Sequence, residues 1–272
     1  MITRICSCYF SATGNTECVV KALIENLSEK LGIDKIKHYN FTPKMMRDTM
    51  PEYGEGDLVI FANPVYAGRV PNLLLPFLKQ IKGAGALGIP VVTYGNRNFD
   101  DALIELANLM KDGGIKIVAG GAFIGEHSFS TILGKGRPDV NDLKIVAEFA
   151  GKLADKLNRQ DYSEVTVPGN DPIRPYYTPR DRNENPINIL KVKPKTNKKI
   201  CIDCKICAKL CPLQAIDYND VSNVPGKCMK CCACEKKCPT GAKYFDDAGY
   251  IYHRTELEEM YAGARREPVY VL

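Results

Sequence analysis

Thr3-Arg4-Ile5-Cys6-Ser7-Cys8-Tyr9-Phe10 runs directly into Ser11-Ala12-Thr13-Gly14-Asn15-Thr16. The first stretch reads as a strand. The hydroxyl-rich hexapeptide after it opens an amphipathic helix expected over residues 15–31. Backbone N–H groups at such a helix start form an anion site, and the hydroxyls at 11, 13 and 16 add donors for phosphate oxygens. Gly14 lets the backbone approach a ligand closely. No Lys follows the glycine, so the GxxxxGK pattern of a nucleotide P-loop is missing.

The same alternation continues to about residue 160. Further strands are expected over 34–40, 58–62, 89–94 and 115–123, with helices near 71–81, 99–111 and 139–157. Strand–helix alternation implies right-handed crossovers and a doubly wound, five-stranded parallel sheet. Leu58-Val59-Ile60-Phe61 and Pro90-Val91-Val92-Thr93 are continuous runs, as strands buried on both faces require. Cys6 and Cys8 fall on one face of the first strand and are expected as small buried apolar residues. The third and fourth strands end in Asn63-Pro64-Val65-Tyr66-Ala67-Gly68 and Thr93-Tyr94-Gly95-Asn96-Arg97-Asn98-Phe99. Ligands of such folds bind outside the carboxyl ends of the strands, so three loops converge on one crevice. Both ring-type loops combine Gly with aromatics, which suits a flat ring that needs stacking and hydrogen bonds at its edge.

Residues 1–162 resemble the flavodoxin family, through the phosphate loop S-x-T-G-x-T and the two loops that follow. The resemblance implies FMN. Ser11, Thr13, Gly14, Asn15 and Thr16 would take its phosphate. Loops 63–68 and 93–99 would flank its ring, including Thr93, Tyr94, Gly95, Asn96 and Phe99. Many flavodoxins place Trp in the first ring loop; this chain has none, and Tyr66 is the aromatic residue there.

Composition sets the limits. The chain has 272 residues, 45% hydrophobic and 25% charged, which excludes global disorder, collagen and coiled coil. No apolar run approaches the ~18 residues of a membrane span. The first residues lack a charged segment feeding an apolar stretch, so no signal peptide and a cytoplasmic location are expected.

Nine of the 12 cysteines crowd into positions 201–238. Ahead of them, residues 163–197 hold Pro168, Pro172, Pro175, Pro179, Pro186 and Pro194, so this segment reads as a linker without regular structure. Pro175-Tyr176-Tyr177 carries enough aromatic surface to pack across a domain face. Residues 198–248 then repeat at an offset of 27: Cys201-x2-Cys204-x2-Cys207-x3-Cys211-Pro212, and Cys228-x2-Cys231-x2-Cys234-x3-Cys238-Pro239. Thiolates suit iron–sulfur centres or zinc. A zinc site needs only four ligands, and disulfide frameworks belong to secreted chains. Cys232 lies outside the pattern and reads as a spare buried thiol.

This segment resembles the bacterial two-cluster ferredoxin domain, whose cysteine run it reproduces. The resemblance implies two 4Fe-4S clusters with crossed fourth ligands. One would take Cys201, Cys204, Cys207 and Cys238, the other Cys228, Cys231, Cys234 and Cys211. The fold class expected is therefore α/β, flavodoxin-like, followed by a small α+β two-cluster ferredoxin domain and a tail at 249–272 with a helix at 256–261. As a whole the chain resembles flavodoxin–ferredoxin fusion proteins of anaerobic bacteria. The net charge of +5 falls to about +1 once two clusters with their thiolates are counted, so no nucleic-acid partner is expected, and no membrane.

Clusters move single electrons and a flavin one or two. The leading expectation is a carrier relaying low-potential electrons between the clusters, FMN and a redox partner protein or small-molecule acceptor. The alternative is a flavin-dependent reductase of a specific small substrate, with His127 or Tyr66 as a proton source. A deep pocket behind residues 125–137 favours the reductase; an exposed ring edge favours the carrier. No G-x-G-x-x-G follows a strand, so a nicotinamide cofactor is not expected. His127 reads first as a structural residue, residues 134–138 as a connection rather than a lid, and Lys227, Lys230, Lys236 and Lys237 as an offset to cluster charge. No donor, substrate or oligomeric state is readable.

Overall fold

Strand β1 (Arg4–Tyr9) lies between parallel neighbours on both sides, β2 (Ile36–Asn40) and β3 (Asp57–Pro64). β3 pairs parallel with β4 (Leu87–Tyr94), and β4 pairs with β5 (Lys116–Ile117) and β6 (Gly120–Ile124). The computed structural model describes residues 1–272. The expected fifth strand is thus split at Val118 and Ala119, and both pieces add to β4. With the two pieces taken as one strand, the order 2-1-3-4-5 is that of a flavodoxin-like doubly wound sheet.

Helices cover both faces. On one side α1 (Asn15–Leu31) and α4 (Val140–Asn158) pack Val19, Leu23, Leu27, Phe149 and Leu153 onto Ile5, Ile60, Val91 and Phe123. α1 stops at Gly32, whose φ of 65° is the left-handed cap a glycine adopts without strain. α4 starts on a capping box between Asp139 and Asp142. On the other side α2 (Leu75–Leu78) and α3 (Ala102–Asp112) cover a core with Cys6, Cys8, Phe61 and Val92. Both N-terminal cysteines are buried there, as expected. The helix expected at 71–81 is shorter, a 3-10 turn at Asn72–Leu74 leading into α2 with Pro76 in its first turn.

The linker binds along the first domain. Val165 N–H donates to Ile117 O, and Val167 is buried. Asp101 accepts from the backbone N–H groups of Asn170 (3.0 Å) and Arg174 (2.9 Å), and from both their side chains. Burial alone would raise this carboxyl; the Arg174 guanidinium and the Asn170 amides hold it well below the usual range. Tyr177 N–H then reaches Ala67 O, and the Tyr176 hydroxyl reaches Val70 O at 2.7 Å. The aromatic pair does pack across the domain face.

The cysteine region holds two short helices, α5 (Ile206–Leu210) and α6 (Ala233–Lys236), and a small antiparallel pair, β7 (Lys195–Thr196) with β8 (Lys243–Tyr244). Its sequence repeat is also a backbone repeat. Asp203 and Lys205 have φ of 52° and 61°; Lys230 and Cys232, each 27 positions later, have 56° and 57°. Gln214 and Gly241 follow the same offset at 51° and 67°. Six left-handed residues in register make each repeat the same loop around its cysteines.

The tail read as 249–272 lies within larger elements. α7 (Ala248–Tyr261) packs Tyr250 and His253 inward, and β9 (Val269–Val271) adds antiparallel to β6. The five-stranded parallel sheet therefore gains an antiparallel edge from the far end of the chain, which covers an exposed strand edge. No helix is long and apolar enough to cross a membrane.

Candidate functional site

The hexapeptide loop leaves strand β1 and turns into α1 through Gly14, at φ 105°, with open space where a Cβ would stand. The N–H groups of residues 12–16 find no acceptor within the chain, while Ser11 N–H is bound to Thr42 Oγ1 and Glu17 N–H to Ser11 Oγ. Five consecutive free amides at a helix start fit an anion such as a phosphate. The side chains are more committed than the sequence suggests. Ser11 caps the helix, Thr16 Oγ1 lies 2.6 Å from Thr93 Oγ1, and Asn15 Nδ2 donates to Glu126 O at 3.0 Å.

The three expected loops do converge. Thr13, Asn15, Thr16, Pro64, Val65, Tyr66, Ala67, Gly68, Thr93, Tyr94 and Gly95 line one cavity of about 1100 Å³. Ser11, Gly14, Asn63, Asn96 and Phe99 stand outside its lining. Asn63 is fully buried with its amide unpartnered. Asn96 holds the tail instead, donating to Tyr261 O and Ala264 O and accepting from Arg266 N–H. Phe99 packs on Tyr94, ring centres 5.5 Å apart. Tyr66 sits on a tight turn: its N–H and C=O pair with Arg69, and Ala67 and Gly68 take φ of 52° and 76°.

Residues 125–129 form a further wall. Gly95 admits His127, because a Cβ there would stand 2.5 Å from His127 Cδ2. Phe129 N–H donates to His127 Nδ1 at 3.2 Å, so the neutral ring carries its proton on Nε2. Burial, then His253, Lys236 and Arg97, push His127 down to about 3; burial and Arg97 push His253 down to about 4. Both imidazoles are neutral at pH 7 and line the cavity. Residues 134–138 are a pinned connection. The Arg137 side chain is buried against Asp142 (Nε to Oδ2, 2.8 Å) and donates to Arg266 O at 2.7 Å.

The opposite wall was not foreseen. It comes from Tyr176 to Lys193 in the linker, Pro225 to Lys230 in the second cysteine repeat, and His253 and Leu257 of α7. The cysteine motif singles out Cys228 with Lys227 and Lys230, and the aromatic pair in the linker hints at docking, but no local signal says that they close this cavity. Lys236 clamps this arrangement, bonded to Glu126 and to Ser130 O, and Arg47 donates to Pro212 O.

Two smaller cavities lie within the cysteine region. One is lined by Cys201, Cys204, Cys207 and Cys238, the other by Cys211, Cys228, Cys231, Cys234 and the adjacent Cys232. Cys232 aside, each draws three cysteines from one repeat and the fourth from the other. No three His, Cys, Asp or Glu side chains close to single-ion spacing. Main-chain N–H groups face the sulfurs: Ala215 N–H to Cys211 Sγ at 3.2 Å, and Lys230 N–H to Cys228 Sγ at 3.4 Å. Burial pushes the Cys207 and Cys228 thiols up and Cys231 up to about 12. Thiolates there need a compensating cationic centre. Cys232, buried beside the second set, contacts Tyr250 Oη at 3.4 Å, as a packed thiol does. Cys228 lines both its own cavity and the large one.

No protein-family model matches the sequence, and no curated protein matches it. Among solved structures, a flavodoxin from the domain Archaea aligns at TM-score 0.40 and 13% identity, over 57% of this chain and 99% of its own. The FMN-bound flavodoxin of Fusobacterium nucleatum aligns at 0.39 and 16%, over 58% and 99%. Rubredoxin oxygen:oxidoreductase from the anaerobe Desulfovibrio gigas aligns at 0.41 and 17%, over 58% and 36%. The strand order, rather than these alignments, makes the sheet flavodoxin-like.

Proposed function

We propose that the protein is an iron–sulfur flavoprotein that moves electrons between two 4Fe-4S clusters and FMN within one chain. The observation that carries this reading is the lining of the two small cavities: within each, the motif cysteines form a crossed set of four that matches the ligand rule of the bacterial ferredoxin run, with Cys232 as an additional neighbour in the second. The open amides of residues 12–16 support a phosphate at the mouth of α1, with Thr13 and Asn15 beside it. Tyr66 and Tyr94 stand where the two loops would flank a ring. When bound, the clusters would supply one-electron chemistry and FMN a choice of one or two.

The chain's own residues set the order. Cys204 is exposed and Ile202 is 66% exposed, so the first repeat faces solvent and an external donor. Cys228 bounds the large cavity, so the second repeat faces the flavin loops. Lys236, Glu126 and the linker keep that approach short. The N–H groups on Cys211 and Cys228 stabilise charge on sulfur.

A second reading, reduction of a small molecule at the flavin, is favoured by the covered cavity. Its volume of about 1100 Å³ lies at the upper end of the ~300–1,000 Å³ of a single small-molecule site. Anaerobic reconstitution followed by metal and flavin analysis tests the first reading. About eight irons and one FMN per chain are expected for two four-iron clusters. Stoichiometric zinc, or no iron after anaerobic handling, contradicts it.

A further inference from the structure

We infer that the large cavity holds, beside the flavin, a small organic anion with an aromatic or aliphatic body, gripped by Lys191, Lys193, Lys227 and Lys230. The inference rests on the flavin reading and names the ligand class of its second wall. The free amides of residues 12–16 serve a phosphate from the sheet side. The four lysines stand on the other wall, two from the linker and two from the second repeat.

Charge on the cavity wall is one-sided. Its single carboxylate, Glu126, is already bound by Lys236, and its single arginine, Arg97, is bound to Asp100. None of the four lysines has a carboxylate partner. Lys193 Nζ rests on Val224 O and Pro225 O, at 2.7 and 3.2 Å. Lys230 Nζ rests on Leu190 O and Cys228 O, at 3.3 and 3.2 Å. Carbonyls orient an ammonium without neutralising it. Like charges gathered around a cavity with low-dielectric walls focus their field on an anion.

The lining also carries apolar surface. Phe129 and Tyr177 contribute to it; Tyr177 stacks on His253 with ring centres 6.1 Å apart and lies 4.9 Å from the Arg97 guanidinium. A bare inorganic ion would leave that surface wet, whereas an organic body covers it. Compensation of cluster charge would explain Lys227 and Lys230, which flank Cys228 in the chain. Lys191 and Lys193 belong to the linker, and a cluster alone does not require them to line the cavity.

The test uses protein reconstituted with iron and flavin. Both are counted first; a failed count overturns the cofactor reading and, with it, the inference that rests on it. Equilibrium dialysis then compares 8-anilinonaphthalene-1-sulfonate with its neutral analogue N-phenyl-1-naphthylamine, in the full chain and in a Lys191→Gln/Lys227→Gln variant. Both lysines are exposed, so the variant keeps its fold, checked by circular dichroism. The expected result is one anion per chain. The neutral analogue binds about tenfold more weakly, and the variant loses about tenfold for the anion alone. Equal binding of both probes, or unchanged anion affinity in the variant, overturns the inference. So does a variant that loses iron while keeping the anion, since its lysines then serve the cluster. Displacement by inorganic phosphate at matching affinity overturns the organic class.

Discussion

The sheet half gathers apolar clusters of 26 and 21 buried residues, while the cysteine half has clusters of 5 and 4. Ile5, Leu23, Phe61, Phe123 and Phe149 lose all contact with water. In the cysteine half the largest buried apolar side chains, Phe245 and Tyr250, lie against the interface rather than between the repeats. Apolar burial at about 25 cal/mol per Å² can hold the first half together. The second is below the size at which a core alone suffices, and such small units lean on metals or disulfides. Its cysteines are all free. The comparison teaches that one chain uses two folding strategies, and that the site lies where they meet.

The largest effect should come from stripping iron. Hydrogen exchange is expected to lose protection across 198–245 while β1, β3 and β4 keep theirs. Simultaneous loss in both halves would break the comparison, because the sheet would then depend on the clusters too.

Next comes the crossing of ligands. Cys238→Ala should remove about half the iron, and the thiols then opened to alkylation should be Cys201, Cys204 and Cys207, from the other repeat. Alkylation of Cys228, Cys231 and Cys234 would mean that each repeat closes on itself.

Within the sheet half the most costly polar deletion is Arg137→Ala. It leaves Asp142, whose side chain is 1% exposed, with only Arg265 Nη2 at 3.3 Å and Asp139 N–H at 2.8 Å, and releases Arg266 O. Breaking one side of such a buried pair costs roughly 3–5 kcal/mol, read by denaturant unfolding. A loss under ~1 kcal/mol would mean that the pair contributes no more than a surface salt bridge. Gly95→Ala is milder, about 1–3 kcal/mol, because the new methyl meets His127. It should also weaken FMN binding, and His127→Ala in the same chain should not recover the losses, because the methyl meets His127 Cα and Cβ at 2.6 Å and alanine keeps both atoms.

The smallest effect is in pH. His127 and His253 have folded values of about 3 and about 4, below the ~6.5 of a free imidazole. The unfolded chain therefore binds more protons between these limits. Their contribution is complete above pH ~6.5 and is lost as pH falls through the folded values. A His127→Gln/His253→Gln chain should show a flatter fall in melting temperature between pH 7 and 5. An unchanged slope would place the acid sensitivity in other groups.

Much of this was legible. Period-3.6 patterns located α1, α3 and α4 because each buries one defined face, while β1 read as a strand from its run of consecutive strand-type residues and is buried on both faces. The convergence of the loops on one cavity was foreseeable because glycines and aromatics follow strands directly. The cysteine spacing was plain because it is local. What escaped is long-range. The tail read as a charged remnant, yet Asn96, Arg137 and Asp139 bind it residue by residue. Asn96 looked like a ring-loop residue because its loop did, and its amide serves the tail. The linker's docking on Asp101 has no sequence period at all, since it depends on one carboxylate meeting two backbone N–H groups.

The most direct test of the account is a flash-reduction experiment on the reconstituted protein, in which light-driven donors reduce the clusters and the flavin absorbance is followed. With Cys228 bounding both cavities, flavin reduction should be first order and independent of protein concentration. A rate that rises in proportion to concentration would contradict the account, because electrons would then pass between chains rather than across the cavity.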